Sequence, residues 1–154
     1  MRMAGSGRFV FVAQWVAAVL LPVFFFLGRS LVGAELGWLA LVGIVYGIFV
    51  ILILLVPPLL TLFDTEGRRR RSTRLLYDIS SFVLWAGLVV GALTAPDSGD
   101  SGHLDSAFTT WTGASYEVSQ AIFIGAAEVT GIAYLAQLVT AIIGIVRGRR
   151  VAAS

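Results

Sequence analysis

The sequence predicts an all-α membrane protein, a bundle of four transmembrane helices whose N-terminus and C-terminus are both cytoplasmic. Two observations lead to this prediction: the chain contains four long apolar stretches, and the segments between them alternate in the sign of their charge. About 20 apolar residues are needed to cross a hydrocarbon core of about 30 Å as a helix. Four stretches meet or nearly meet that length, and they cover residues 9–27, 36–63, 75–95 and 118–146.

The composition agrees with a membrane location. Hydrophobic residues make up 58% of the chain and charged residues 13%, which is about half of the charged fraction of a soluble domain. The 154 residues leave room for four helices, short tails and one substantial loop, so we expect a single integral membrane domain over residues 1–154. All eleven basic residues are arginine, and the chain has no lysine or asparagine. This codon-related bias indicates a GC-rich bacterial genome.

The arginines predict the orientation of the spans. Ten of the eleven lie before the first span, between the second and third spans, or after the fourth span. Because basic residues are retained on the cytoplasmic side, we expect both termini and the basic loop 64–74 in the cytoplasm, and the protein in the bacterial cytoplasmic (inner) membrane. Arg29 lies on the predicted outer side, together with the outer loop 96–117. Gly and Ser residues border the acids of that loop, so we expect it to be solvated and flexible.

The first apolar stretch, 9–27, also has features of a signal peptide, because Arg2 and Arg8 precede it. The apolar region of a signal peptide is typically 7–15 residues long, whereas this stretch has 19. We therefore expect a retained helix, and the orientation of the later spans is the same in either case.

The second stretch, 36–63, is the longest, and it contains Pro57 and Pro58 near its cytoplasmic end. Two adjacent prolines remove two amide donors and crowd the preceding turn, so we expect a kink there. Small residues four positions apart also predict close helix packing in three of the spans. These pairs are Gly43 and Gly47, Gly87 and Gly91, and Ala127 and Gly131.

The third span begins just after Arg74 and contains Asp78 one turn further on. Residues four apart share one face of a helix, and an acid near the interface can stay hydrated or pair with a basic side chain that bends toward water. We therefore expect Arg74 and Asp78 to form an ion pair that anchors this span at the cytoplasmic interface.

A cluster of four arginines lies in the basic loop that precedes the third span. Arginines close to a bilayer attract anionic lipid headgroups by about 1 kcal/mol per residue. We interpret the cluster first as a topology signal, with lipid binding as a consequence. Its members are Arg68, Arg69, Arg70 and Arg71.

The fourth span carries a charged residue far from both of its ends, Glu128. An ionised acid at this depth costs at least about 2.5–3.5 kcal/mol. Helical spacing places Gly125 and Gly131 beside it, and small residues allow a neighbouring helix to approach closely. No basic residue lies at a matching depth in any predicted span. We therefore expect Glu128 to be protonated near neutral pH or to be satisfied by a group outside this chain.

A second polar set on the same span consists of Thr130, Tyr134 and Gln137, which form one stripe at positions i, i+4 and i+7. At about 100° per residue, Gln137 lies about 180° around the helix from Glu128. Two polar faces predict a helix that contacts its own bundle on one side and another subunit on the other. Alternatively, Thr130 and Tyr134 bond locally or reach the interface, and Gln137 extends toward it.

Three function classes fit these features. The preferred one is a non-enzymatic accessory or assembly subunit of a larger envelope complex (transport or respiratory) that docks through its fourth span. The alternative is a small oligomeric proton- or ion-coupled transporter or channel that uses Glu128, and the third is a holin-like pore former.

An enzyme is the least expected class, because two separated acids and one loop histidine do not assemble a nucleophile with its base. The chain also has no cysteine, which excludes disulfides and cysteine-ligated metals. We expect no cofactor, no metal site and no nucleic-acid partner. The expected partners are membrane lipids with anionic headgroups on the cytoplasmic side, and other membrane subunits or further copies of the chain.

Overall fold

A computed structural model describes the backbone of residues 5–152 and the side chains of residues 5–148. Arg2 and the side chains of Arg149 and Arg150, which contribute to the predicted orientation, lie outside this part of the chain. A 3₁₀ turn, Gly28–Val32, follows the first helix. The other elements are α1 (Gly7–Phe26), α2 (Trp38–Thr61), α3 (Thr65–Arg70), α4 (Leu75–Thr94), β1 (Asp97–Gly99), β2 (Gly102–Leu104), α5 (Ala107–Thr112) and α6 (Tyr116–Ala152).

Four of these helices, α1, α2, α4 and α6, are long and apolar enough to cross a membrane, as expected of a multi-pass membrane protein. Each coincides with one of the predicted apolar stretches to within two residues, apart from the end of α6, so the prediction of four long apolar helices is confirmed. The largest difference between a predicted stretch and its helix is at the end of α6, which continues to Ala152. Helix α2 continues through Pro57 and Pro58, both buried, and ends at Thr61.

The long helices pack in the order α1, α2, α6 and α4, with α4 returning to α1 and with the most extensive contact between α4 and α6. Small residues permit the closest approaches. Gly87 of α4 lies directly against the hydroxyl of Thr130 on α6, and Gly43 of α2 lies against the ring of Phe26. A Cβ at either glycine would collide with these side chains, so the predicted small-residue packing occurs within the chain at these two positions.

The two ends of the molecule differ in charge. The first, named here the arginine end, contains the start of α1, the short helix α3 with Arg68–Arg71, and the last turns of α6. These segments are in contact, because the amide of Thr73 donates to the carbonyl of Gly7 (3.2 Å) and Gly148 lies against Asp64.

The opposite end, named the hairpin end, contains the 3₁₀ turn, strands β1 and β2 and helix α5. The strands form an antiparallel two-stranded sheet in which Asp97 is opposite Leu104. The side chain of Ser106 caps α5 by accepting a hydrogen bond from the amide of Thr109 (3.1 Å). The predicted outer loop 96–117 therefore contains regular structure, namely the two strands and helix α5.

Large apolar side chains cover the outward faces of the long helices. Examples on three helices are Leu20, Ile44 and Ile132, of which Ile44 and Ile132 are each 69% exposed. Apolar surface of this extent is unusual for a soluble monomer and is typical of a surface that contacts lipid or other proteins. The interior, in contrast, contains several polar side chains.

Candidate functional site

Glu128 lies on the face of α6 that points away from the other helices. Its side chain is exposed, and no hydrogen bond or ion pair joins it to another side chain among residues 5–148. Gly125 and Gly131 flank it and are also exposed, and a Cβ on either glycine would meet no atom within 4 Å. These two glycines therefore have no packing role within the described chain. Together with Glu128 they form a strip that no described segment covers.

This strip is isolated from the polar ends of the helix. Glu128 is the only charged residue of the sequence between Glu117 and Arg147. At 1.5 Å per residue it lies about 17 Å from Glu117 and about 29 Å from Arg147 along the helix axis. The neighbouring exposed side chains on this face are Ile132 and Leu135, so the carboxyl group has an apolar surround. We call the surface formed by Ile124, Gly125, Glu128, Gly131, Ile132 and Leu135 the outer face of α6.

The predicted stripe on α6 faces the packed helices. Gln137 is only 2% exposed, and its side-chain amide donates to the hydroxyl of Ser81 on α4 (2.7 Å). Thr130 donates to the carbonyl of Ala126 within its own helix (2.6 Å). Gln137 thus lies inside and Glu128 outside, which is the separation that the helical repeat predicts.

Tyr134, the third member of the stripe, contacts α2. Its hydroxyl donates to the backbone carbonyl of Ile53 (2.8 Å). In a regular helix this carbonyl accepts from the amide four residues later, which is residue 57, but Pro57 has no amide hydrogen. Tyr134 therefore supplies the donor that Pro57 lacks, which explains how α2 continues through its prolines without an unsatisfied carbonyl at Ile53.

A buried polar cluster joins all four long helices on the side of the arginine end. The hydroxyl of Tyr77 donates to the side-chain oxygen of Gln14 (2.7 Å), and the Gln14 amide donates to the hydroxyl of Thr61 (3.3 Å). Ser81 and Gln137 lie on the neighbouring turns of α4 and α6 and are also buried. Polar side chains at these positions are visible in the sequence, but their contact depends on how α1, α2, α4 and α6 pack.

Substitution of Tyr77 by Phe is expected to lower the free energy of unfolding by about 0.6–1.7 kcal/mol, the range of interhelical hydrogen bonds in membrane proteins. The change removes the hydroxyl donor and leaves the Gln14 oxygen buried without it. Unfolding in mixed micelles with increasing dodecyl sulfate, followed by helical circular dichroism, measures the change. Tyr46→Phe is the matched control, because Tyr46 is 58% exposed. Equal effects of the two substitutions would contradict the role of the cluster.

Arg74 does not form the predicted ion pair with Asp78. Its guanidinium instead binds Asp64, with 2.8 Å between Nε and Oδ2, and also reaches Glu66 at 3.5 Å. The reason is local: Arg74 is the N-cap residue of α4 and has an extended backbone (φ −91°, ψ 151°). The i, i+4 rule applies to residues within a helix. The hydrogen bond to Asp64 raises the pKa of Arg74 above its ordinary value.

Asp78 is satisfied by hydroxyl groups. Its carboxylate accepts hydrogen bonds from Ser6 (2.5 Å) and from Thr73. The backbone amide of Thr73 also donates to the carbonyl of Gly7 (3.2 Å). Asp78 therefore ties the start of α1 to the start of α4, so it does hold the third span at the arginine end, with different partners from those expected.

The four arginines of the basic cluster are exposed. Arg70 makes an i, i+4 pair with Glu66 (3.4 Å) on the surface, and Arg71 ends α3 in a left-handed conformation (φ 47°). Surface pairs of this kind contribute little to stability. The cluster Arg68–Arg71 therefore presents its positive charge to the surroundings of the arginine end.

Arg29 forms a buried ion pair that was not predicted from the sequence. Its side chain is 0% exposed, and it pairs with Asp97, which is 3% exposed. Arg29 also donates to the carbonyl of Ala95 (3.1 Å), and Asp97 accepts from the backbone amides of Gly37 (2.9 Å) and Leu39 (3.0 Å). One pair thus connects the end of α1, the start of α2 and the hairpin.

The surroundings of Arg29 act in two directions on its charge. Burial lowers the pKa of Arg29, and the charge and hydrogen bond of Asp97 oppose that shift. The sequence contains one signal for this pair, because Arg29 is the single arginine on a side that is otherwise acidic.

The described residues contain no group of three or more His, Asp or Glu side chains that could hold a metal ion. Comparison with known proteins found no matching family model, no similar curated protein and no similar solved structure. Among the described residues, the buried charged side chains each have a partner inside the chain, although the Nε of Arg29 has no hydrogen-bond acceptor. Glu128 is therefore the candidate for a contact with a group outside it.

Proposed function

We propose that this protein is a non-enzymatic accessory or assembly subunit of a larger complex in the bacterial cytoplasmic membrane, and that it docks on its partner through the outer face of α6. The observation that carries the proposal is the exposed Glu128 between two glycines that pack against nothing in the described chain.

The energetic reason is the position of the carboxyl group. A charged side chain in the hydrocarbon region costs at least about 2.5–3.5 kcal/mol, and such groups pair with a partner or face a hydrated cavity. Gly125 and Gly131 allow the backbone of a second helix to come close to Glu128. A partner helix with a basic or amide side chain at the same depth would satisfy the carboxylate and bury the apolar residues around it.

The inner face of α6 supports this role because it is already occupied. Gln137 and Tyr134 bind Ser81 and the carbonyl of Ile53, so α6 is held on α4 and α2 by its own polar groups. A helix held in this way presents its outer face without rearrangement, which reduces the entropy that docking costs.

The orientation and location belong to the same proposal. The four helices form a bundle, and the arginine end faces the cytoplasm according to the positive-inside rule. The described side chains at that end include those of Arg8, Arg68–Arg71, Arg74 and Arg147. Arg68–Arg71 then contact the anionic headgroups of that leaflet.

Substitution of Glu128 by Leu is expected to weaken binding of the partner about tenfold, since an interhelical polar contact contributes about 1–2 kcal/mol. Gly131→Leu is expected to act in the same direction by blocking the approach of the partner helix. Gly131 is exposed, and a Cβ there meets no atom of the described chain within 4 Å. Native mass measurement of tagged protein, extracted in mild detergent, measures how much stoichiometric partner remains bound.

Glu117→Gln is the matched control, because Glu117 is an exposed acid at the start of the same helix. The proposal requires that the control retains the partner and that both outer-face variants lose it. Recovery of the protein only as a monomer would contradict it. A homo-oligomer with pH-dependent ion flux that Glu128→Gln abolishes would favour the transporter alternative, and a homo-oligomer that releases solutes without coupling would favour the holin-like pore.

A further inference from the structure

A groove of about 690 Å³ runs along the outward side of α1, next to α4. Ala13 and Ala17 contribute small side chains to it, and the indole of Trp85 is its contribution from α4. Trp85 is held by ring contacts with Phe9 (6.5 Å between ring centroids) and Phe82 (5.4 Å). The groove is therefore a defined surface with a fixed aromatic wall.

The length of the groove corresponds to one leaflet of a bilayer. Its lining extends from Arg8 to Leu21 along α1, a distance of about 20 Å at 1.5 Å per residue. Half of a bilayer, with its headgroup region, is about 20–22 Å thick, of which the hydrocarbon part is about 15 Å. The groove is thus long enough for an extended hydrocarbon chain of one leaflet and is apolar along that length.

Among the described residues, Arg8 is the one charged residue that lines the groove, and it lies at the arginine end. Arg8 is exposed, and among the described side chains none forms an ion pair with it. The acid near the start of α1, Asp78, accepts hydrogen bonds from Ser6 and Thr73. Arg8 therefore carries a positive charge that no described acid neutralises, at the level where a lipid chain meets its headgroup.

We propose that this groove binds an anionic phospholipid, with one acyl chain along α1 against Trp85 and with the headgroup phosphate against Arg8. The charge of Arg8 selects an anionic headgroup, and the apolar groove below it selects a lipid over a free anion. The site lies on α1 and α4 and is separate from the outer face of α6, so either proposal can fail without the other.

Trp85 serves as the reporter in the test. The full chain with Trp15, Trp38 and Trp111 replaced by Phe is reconstituted into phosphatidylcholine vesicles. Two preparations are compared, one containing brominated phosphatidylglycerol and the other brominated phosphatidylcholine. The bromine atoms on the acyl chains quench the fluorescence of a tryptophan that they contact. We expect an apparent affinity about fivefold higher for the anionic brominated lipid, the factor that about 1 kcal/mol per arginine near the surface gives.

Arg8→Gln is expected to remove this preference, and Arg147→Gln, which changes another exposed arginine at the same end, is expected to retain it. Ala13→Leu, which narrows the groove, is expected to reduce quenching by both lipids. Equal affinity for the two lipids in the reporter protein with Arg8 and Ala13 intact would overturn the proposal. An equal loss of preference in the Arg8 and Arg147 variants would also overturn it, because the preference would then come from the general surface charge.

Discussion

Substitution of Arg29 by Met is expected to lower the free energy of unfolding by about 3–5 kcal/mol, the largest effect that we expect at the hairpin end. Removal of one member of a buried ion pair leaves the other charge in a medium that solvates it poorly. Here the remaining charge is Asp97, which is 3% exposed. Asp97 also accepts the amides of Gly37 and Leu39, so the start of α2 is expected to loosen. Unfolding in mixed micelles measures the change.

Two further variants test whether the loss of stability comes from the Arg29–Asp97 pair itself. Asp100→Asn changes an exposed acid of the same hairpin and is expected to alter stability by less than about 0.5 kcal/mol. Arg29→Met combined with Asp97→Asn removes both charges. The double variant is expected to recover part of the free energy of unfolding that Arg29→Met alone loses. A cost below about 1 kcal/mol for Arg29→Met alone would show that the pair is not buried as described.

Substitution of Arg74 by Met is expected to have a comparable effect at the arginine end, again about 3–5 kcal/mol. Asp64, its main partner, is buried and accepts the amides of Glu66 and Gly67 at the start of α3. It also lies against Gly144 of α6. Loss of the guanidinium leaves this carboxylate between α3 and α6 without its cation. We therefore expect a lower free energy of unfolding and looser packing of the last turns of α6.

The matched control for Arg74 is Arg70→Gln. Arg70 belongs to the same basic segment and pairs with Glu66, but its side chain is 55% exposed, and exposed pairs contribute at most about 1 kcal/mol. Proteolysis of the last turns of α6 gives a second readout, which is expected to accelerate in Arg74→Met only. If the two substitutions cost the same, the Asp64–Arg74 pair has no special role.

Several features could be predicted from the sequence because they depend on local properties. Apolar content and length predict the four long helices, since a span of about 20 apolar residues is required whatever surrounds it. The helical repeat predicts that Glu128 and Gln137 lie on opposite sides of α6. Small residues at Gly43 and Gly87 predict close packing, and the structure places Phe26 and Thr130 against them.

The local rules failed where the backbone leaves a regular helix. Arg74 and Asp78 have the spacing of an ion pair, but Arg74 lies at the N-cap with an extended backbone, and its side chain is directed to Asp64. The outer loop was predicted to be solvated and flexible from its Gly and Ser residues. It contains a hairpin whose Asp97 pairs with Arg29, 68 positions away. Spacing within a segment contains no information about such a contact.

The sequence by itself determined that this chain has four membrane-length helices, and that its fourth helix carries an acid far from either end and a polar stripe opposite to it. Only the tertiary structure decided which side of α6 the other helices cover. The stripe is occupied because Gln137 meets Ser81 and Tyr134 meets the carbonyl that Pro57 leaves without a donor. Glu128 is left on the outside. The physical reason is that helical periodicity sets the angle between two side chains, whereas the packing of α6 on α4 and α2 sets which of them faces the interior.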